Sequence, residues 1–277
     1  MGPPGASNGS AELALEHDCQ RSQLPSALAA RFVRLDDDAG LRTWLGDVER
    51  RRAGPFKTLA QRVLRGYMSD FDANAVLDIY SMYLLSTPSW QRLLGGRTPG
   101  RRLLDVGAGS GDVTVELSPL FDDVVTTELS RGMARRLRRR GFRCVRADLA
   151  TDPVPDPPYE VISCLNVLDR CPRPLSLLER LRAAVAPGGR LVIAMPLPYA
   201  PLFYEGPRTL DPAEPLPCQA ATWEGGAAEL ARRVLIPRGL EIEHLARAPY
   251  LSAGDSKAPV YELDDVIAVC KVAFLGA

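Results

Sequence analysis

LLDVGAGSGDVT, residues 103–114, decides the fold. Leu103 to Val106 is a short apolar run that stops at Gly107, Gly109 and Gly111, after which Asp112 to Thr114 opens a helix. Glycine lets a backbone turn sharply and approach a ligand with no Cβ in the way, so the segment reads as strand, ligand-binding turn, helix. Its G-A-G-S-G spacing differs from the G-x-G-x-x-G fingerprint of dinucleotide sites. Downstream, VVTTEL (124–129) is β-branched and leads into a helix with Met133 and Leu137 on its apolar side. FRCVRA (142–147), YEVISCL (159–165) and GRLVIAM (189–195) are further strands, with a helix over 174–185 before the last. A helix over 223–237 leads to LEIEHLARAPY and VYELDDVIAVCKVAF, two closing strands of which the last is joined by an antiparallel hairpin. Strands alternating with helices predict an α/β fold with a parallel, doubly wound sheet.

Upstream of this unit, residues 1–23 are Gly/Pro/Ser-rich and then polar, a tail. Residues 24–98 carry helical periodicity, with Leu59, Val63, Leu64, Val76, Leu77, Tyr80, Tyr83 and Leu84 at three- and four-residue spacings, which predicts a helical cap. The α/β domain is expected over 99–277. Its 196–222 segment holds seven prolines and reads as an inserted loop or flap.

Composition narrows the function. The chain has 277 residues, 34 Lys plus Arg against 34 Asp plus Glu, and a formal net charge of zero. Duplex affinity rests on a surplus of cations, so a nucleic-acid partner has no global support. The cationic run RGMARRLRRRG (131–141) reads as a solvated helix face. The six cysteines form no CxxC pair, and only two histidines, His17 and His244, are present, so no metal site is expected. No apolar run reaches the roughly 18 residues of a spanning helix, and MGPPGASNGS lacks the form of a secretory leader. A cytoplasmic monomer is the expectation, with an endomembrane location open if a leader has been removed.

Acidic residues end three successive strands: Asp105, Glu128 and Asp148. Glu128, about 20 residues past the glycines, suits a carboxylate that accepts ribose hydroxyls. Taken singly, each of these acids is more often a loop or capping residue. Together with Gly107, Gly109 and Gly111 they resemble class I S-adenosylmethionine-dependent methyltransferases. That resemblance implies that the glycine turn sits against the methionine moiety, Asp105 helps hold the cofactor's amino group, and Asp148 accepts from the adenine amino group. It also implies S-adenosylhomocysteine as product and a seven-stranded, mostly parallel sheet with helices on both faces.

Acceptor chemistry belongs at the end of the fourth strand, where the chain reads SCLNVLDRC. DNA and RNA amino-methyltransferases carry Asn/Asp-Pro-Pro-aromatic here to stack a flipped base. This chain has Asn166-Val-Leu-Asp169, without prolines or an aromatic, which speaks against a nucleobase. The runs LLDVGAGSGDVT, TELS, EVISCLNVLDRC, PYL-x-x-GD and Y-x-LDD more closely resemble the DREV (methyltransferase-like protein 9) family, from about residue 101 to 275. The resemblance implies a protein-histidine methyltransferase acting on the pros nitrogen (Nδ1) of His-x-His motifs. It makes Asn166 and Asp169 the floor of the histidine pocket, with Asn166 also close to the cofactor and Arg170 beside the substrate. Tyr261 corresponds to the family's active-site tyrosine, and Tyr250 lines the same pocket.

A carboxylate suits imidazole chemistry. Nδ1 attacks only with its lone pair free, so the proton must sit on Nε2, and Asp169 accepting Nε2–H would fix that tautomer. The competing reading makes Asp169 a helix cap before Pro172 and Pro174. Asp264-Asp265 admits two readings, attraction of a basic peptide or hairpin-turn chemistry. The activity likewise keeps an alternative, methylation of a small molecule or another protein side chain, and a third, a non-catalytic cofactor-binding subunit.

Overall fold

The computed structural model describes residues 18–35, 39–50, 81–96, 101–201, 203–205, 208–254 and 258–273. Eight strands form one sheet: β1 (Met82–Tyr83), β2 (Arg102–Val106), β3 (Asp123–Thr127), β4 (Arg143–Val145), β5 (Tyr159–Leu165), β6 (Val185–Pro196), β9 (Leu240–Ala253) and β10 (Val260–Val272). Their order is β1-β9-β10-β6-β5-β2-β3-β4. The β6-β5-β2-β3-β4 half is parallel, and β9 and β10 close the other half antiparallel. β7 (Phe203–Glu205) and β8 (Arg208–Leu210) make a small hairpin inside the Pro-rich insertion, which is therefore not wholly loop.

The doubly wound, mostly parallel sheet expected from the sequence is present, with eight strands rather than seven. The extra one corrects a helix expectation: Tyr83 lies in β1, paired with Leu251, and Leu84 follows it outside any helix. Non-local pairing with β9 overrides the local spacing. Leu59, Val63, Leu64, Val76, Leu77 and Tyr80, like the tail over 1–17, lie outside the described residues. The helices that flank the sheet are α1 (Ser26–Ala29), α2 (Ala39–Arg50), α3 (Thr87–Leu94), α4 (Asp112–Leu117), α5 (Arg131–Arg139), α6 (Pro174–Ala184) and α7 (Trp223–Glu229).

Why the sheet is covered on both sides follows from its strands. Adjacent residues point to opposite faces, and both are apolar: Leu103 and Leu104, Val161 and Ile162, Val192 and Ile193. Leu104, Ile162 and Ile193 pack under α6 and α7 with Leu177, Leu178, Leu181 and Trp223. Leu103, Val161 and Val192 pack under α3 and α4 with Trp90, Leu93, Leu94 and Leu117. Each such side chain, fully removed from water, contributes about 2 kcal/mol. α2 instead covers the outer end of the β9–β10 hairpin, through Leu41, Val48, Trp44, Tyr83, Leu251 and Val260. No helix among the described residues is long and apolar enough to cross a membrane.

Candidate active site

The carboxyl ends of the parallel strands converge on one edge, where two adjoining regions take shape. The first is the glycine turn after β2. All three glycines have positive φ (64°, 55° and 80°), but they serve different needs. A Cβ on Gly107 would stand 2.7 Å from Val167 Cγ2, and one on Gly111 would stand 2.7 Å from Leu137 Cδ2. Gly109 alone has nothing within 4 Å of that position and faces open space. The turn is held from below by Asp105, which is buried and accepts from Thr114 Oγ1 (2.6 Å) and Ser163 Oγ (2.7 Å). Burial pushes its carboxyl up to about 6, although the two hydroxyls work against that rise.

Glu128 follows β3 and accepts from Gly109 N (2.9 Å) and Ser130 N (2.8 Å), which places its carboxylate at the open face of the turn. Asp148 follows β4, with its side chain accepting from Ala150 N at 3.0 Å. Between them Leu129 is 59% exposed, an apolar surface beside two acids that suits the face of a purine. No sequence pattern had singled it out. An open glycine, a carboxylate at hydroxyl reach and an exposed apolar side chain fit an S-adenosyl group.

The second region begins where β5 ends. Asn166 N donates to Ala194 O (2.8 Å), and Asn166 itself adopts a left-handed conformation (φ 56°) that turns the chain off the strand. Val167, next in line, fills the space left by Gly107, so the two strand ends are packed against each other. Asn166 is 7% exposed and Asp169 2%, yet Asn166 Oδ1, Asn166 Nδ2 and Asp169 Oδ1 have no hydrogen-bond partner. Arg170 Nε lies 3.3 Å from Asp169 Oδ2, an ion pair without hydrogen-bond alignment. Burial raises the Asp169 pKa and Arg170 opposes the rise. Tyr250, on β9, is pushed well above the ordinary tyrosine range by burial, with Arg170 pulling it down and Asp265 and Asp169 adding to the rise.

The structure thus gathers Asn166, Asp169, Arg170 and Tyr250. Tyr261 lies opposite Ser252, on the same face of the hairpin as Tyr250 and one same-face pair further out, in one row with Met82, whose N–H donates to Asp112 Oδ2 at the head of α4. It shares a face of β10 with Asp265, four residues or about 13 Å further along the strand. The acidic pair is not turn chemistry, because Asp264 and Asp265 both lie inside β10 and the hairpin closes at Gly254 N–Pro259 O. Asp264 is held bidentately by Arg247 (2.9 and 2.6 Å), whereas Asp265 is fully buried in the second region. Tyr199, from the Pro-rich insertion, sits on the Asp169 side, its hydroxyl raised by burial to about 12. Tyr199 is a member of this buried cluster that sequence reasoning did not single out, and Asp265 joins it although the sequence left its role open.

A Rossmann-like sheet with a glycine turn, acids at strand ends and a polar pocket beside them defines the class I methyltransferase architecture. The family model for DREV methyltransferase matches residues 17–272, and the chain belongs to that family. The family match takes in the N-terminal segment, which the recognisable motifs from residue 101 onward do not reach. Among curated proteins, the ubiquinone biosynthesis O-methyltransferase of Bordetella avium is 30% identical over 109 residues, 36% of this chain and 44% of that protein. The trans-aconitate 2-methyltransferase of Methylobacterium nodulans is 35% identical over 99 residues, 34% and 38% respectively, so this chain spans less than half the length of either. Of solved structures, a DhpI–SAH complex resembles the chain with 21% identity, coverage of 78% and 97%, and a TM-score of 0.48. S-adenosylmethionine is the cofactor this site fits.

Proposed function

We propose that the protein methylates the pros nitrogen of histidine in His-x-His segments of other proteins, with S-adenosylmethionine as methyl donor. The observation that carries this reading is the buried pair Asn166 and Asp169, whose polar atoms are left without partners beside the glycine turn. Buried polar atoms are as a rule hydrogen-bonded, so two adjacent side chains with open atoms at the strand ends support a polar ligand there. When bound, S-adenosylmethionine supplies an electrophilic methyl group on a sulfonium.

The chain's residues supply the rest. Gly109 leaves room for the cofactor, Glu128 and Asp148 accept from its ribose and adenine, and Asp105 holds the turn in shape. Asp169 Oδ1 accepts the substrate's Nε2–H, which fixes the tautomer with Nδ1 unprotonated. As the ring becomes cationic, the same carboxylate lies against the developing charge. Arg170 favours the ionised form of Asp169, and Asn166 orients the ring without adding charge. Tyr250 closes the wall on the β9 side, and Tyr261 meets the peptide at the outer end of the hairpin. Much of the acceleration comes from holding the nitrogen in line with the methyl group.

The test is mass spectrometry of a Gly-His-Ala-His-Gly peptide and a histidine-free control after incubation with the protein and S-adenosylmethionine. One methyl mass on histidine, absent from the control, is the expected result. Methylation of the control alone would overturn the reading and move the bet to another nucleophile. Since free histidine titrates near pH 6.5, turnover should fall below about pH 6, and a flat profile down to about pH 5 would contradict attack by neutral imidazole.

A further inference from the structure

Asp265 is the largest polar anomaly of the described structure. It is 0% exposed, and both its carboxyl oxygens lack a hydrogen-bond partner. Its place in the sheet explains where it points chemically. Asp265 pairs with Pro196, the last residue of β6, and with Ala248 of β9, while Asn166 leaves β5 on the other side of β6. Asn166 and Asp265 thus straddle the end of one strand, with Tyr250 two residues beyond Ala248 on the neighbouring strand. The Asn166 amide is near enough to restrain the rise in both the Asp265 and Tyr250 pKa values, yet closes no hydrogen bond of ordinary geometry with either. Burial is the main cause of the high Asp265 pKa, with the Asp169 charge adding to it and Arg170 opposing it.

Counting the open atoms gives the chemistry of the missing occupant. The unpartnered acceptors are Asn166 Oδ1, Asp169 Oδ1 and both oxygens of Asp265, against the Asn166 amide nitrogen, Arg170 Nε and the Tyr199 hydroxyl as donors. The single cation of this group, Arg170, is already within 3.3 Å of Asp169. The second carboxyl has no counterpart. A pocket of this make-up offers a carboxylate substrate no free cation, and its surplus of acceptors suits a group that brings N–H donors.

We propose that Asp265 is a substrate-contacting carboxyl of the acceptor pocket, which takes a hydrogen bond from the nucleophile-bearing group and so selects a nitrogen acceptor that becomes cationic on methylation. The inference rests on the acceptor pocket assigned above and narrows its substrate class. With histidine as the acceptor, Asp169 holds the ring through Nε2–H, and Asp265 receives the neighbouring N–H of the substrate backbone or stands against the ring as its charge grows. Each open acceptor in the core is costly, and Asp265 carries two beside Asn166, which a hydrogen-bonding substrate would offset.

The experiment compares wild-type protein, Asp265→Asn and Asp264→Asn as full chains. Binding of S-adenosylhomocysteine by calorimetry verifies folding. Methylation of the Gly-His-Ala-His-Gly peptide and binding of 4-methylimidazole in the presence of S-adenosylhomocysteine report on the pocket. Asp265→Asn should keep cofactor-product affinity within about threefold while kcat/KM for the peptide, and 4-methylimidazole affinity, fall about 100-fold and about tenfold. Asp264→Asn, whose carboxylate belongs to the Arg247 ion pair, should retain methylation within about threefold. Peptide methylation unchanged in Asp265→Asn would overturn the proposal and leave histidine methylation standing. A wild type that leaves the peptide unmodified but binds 4-methylimidazole only with Asp265 intact would sink the histidine reading and keep Asp265. No binding of the probe and no methylation by the wild type would overturn both.

Discussion

The two halves of the strand-end edge differ in how their buried polar groups are satisfied. In the glycine-turn half the chain answers its own needs: Asp105 is met by Thr114 and Ser163, and Glu128 by Gly109 and Ser130. In the acceptor half, Asn166, Asp169 and Asp265 keep open atoms although all three are buried. The first half is a preformed cradle that stands without its ligand. The second carries unpaired polarity whose cost, on the proposed function, a docked substrate recovers, so stability and chemistry should separate between the two.

The largest break in that comparison should come from Gly109→Val. A side chain there fills the open face of the turn and demands a left-handed backbone, so S-adenosylhomocysteine affinity should fall at least about 100-fold by calorimetry. Equal affinity would show that the open face is not where the cofactor lies.

Asp105→Asn sharpens the comparison through pH. The folded pKa of about 6 exceeds the usual 3.8, so the folded state binds the proton more tightly. The stability this provides is complete below about pH 4 and lost as pH rises through about 6. Between pH 4.5 and 7.5 the wild type should lose about 2 kcal/mol that Asp105→Asn does not, as read from urea unfolding at the two pH values. Parallel pH dependence in both proteins would contradict the buried, ionisable support of the turn.

The smallest effect concerns the edge that carries the acceptor strands. Arg247 grips Asp264 bidentately, donates to Asp18 O (3.0 Å) and lies 5.2 Å over the Trp223 ring. Arg247→Ala should cost about 1 kcal/mol in unfolding experiments, since the ion pair is partly solvated, and should leave cofactor binding unchanged.

The parts of this architecture that were legible in the sequence are those that local chemistry dictates. YEVISCL is β5 residue for residue, and the glycines mark their turn because positive φ excludes most side chains. Asn166 and Asp169 were visible through a motif whose spacing is itself part of one tight turn. Asp265 was not, because two consecutive aspartates admit a turn or a peptide contact alike and only the flanking β6 and β9 bury one of them. Tyr83 failed for the same reason, since its partner Leu251 lies 168 residues away and no local period reveals that pairing. The different fates of Gly107, Gly109 and Gly111 also required Val167 and Leu137 to be in place.

The most direct test of the division between cradle and acceptor pocket is a paired measurement on Asp169→Asn. S-adenosylhomocysteine binding and peptide methylation would be taken from the same preparation. The account predicts affinity within about threefold of wild type and methyl transfer reduced about 1000-fold, because the amide neither fixes the imidazole tautomer nor offsets its charge. Loss of both in parallel, or transfer at the wild-type rate, would contradict it.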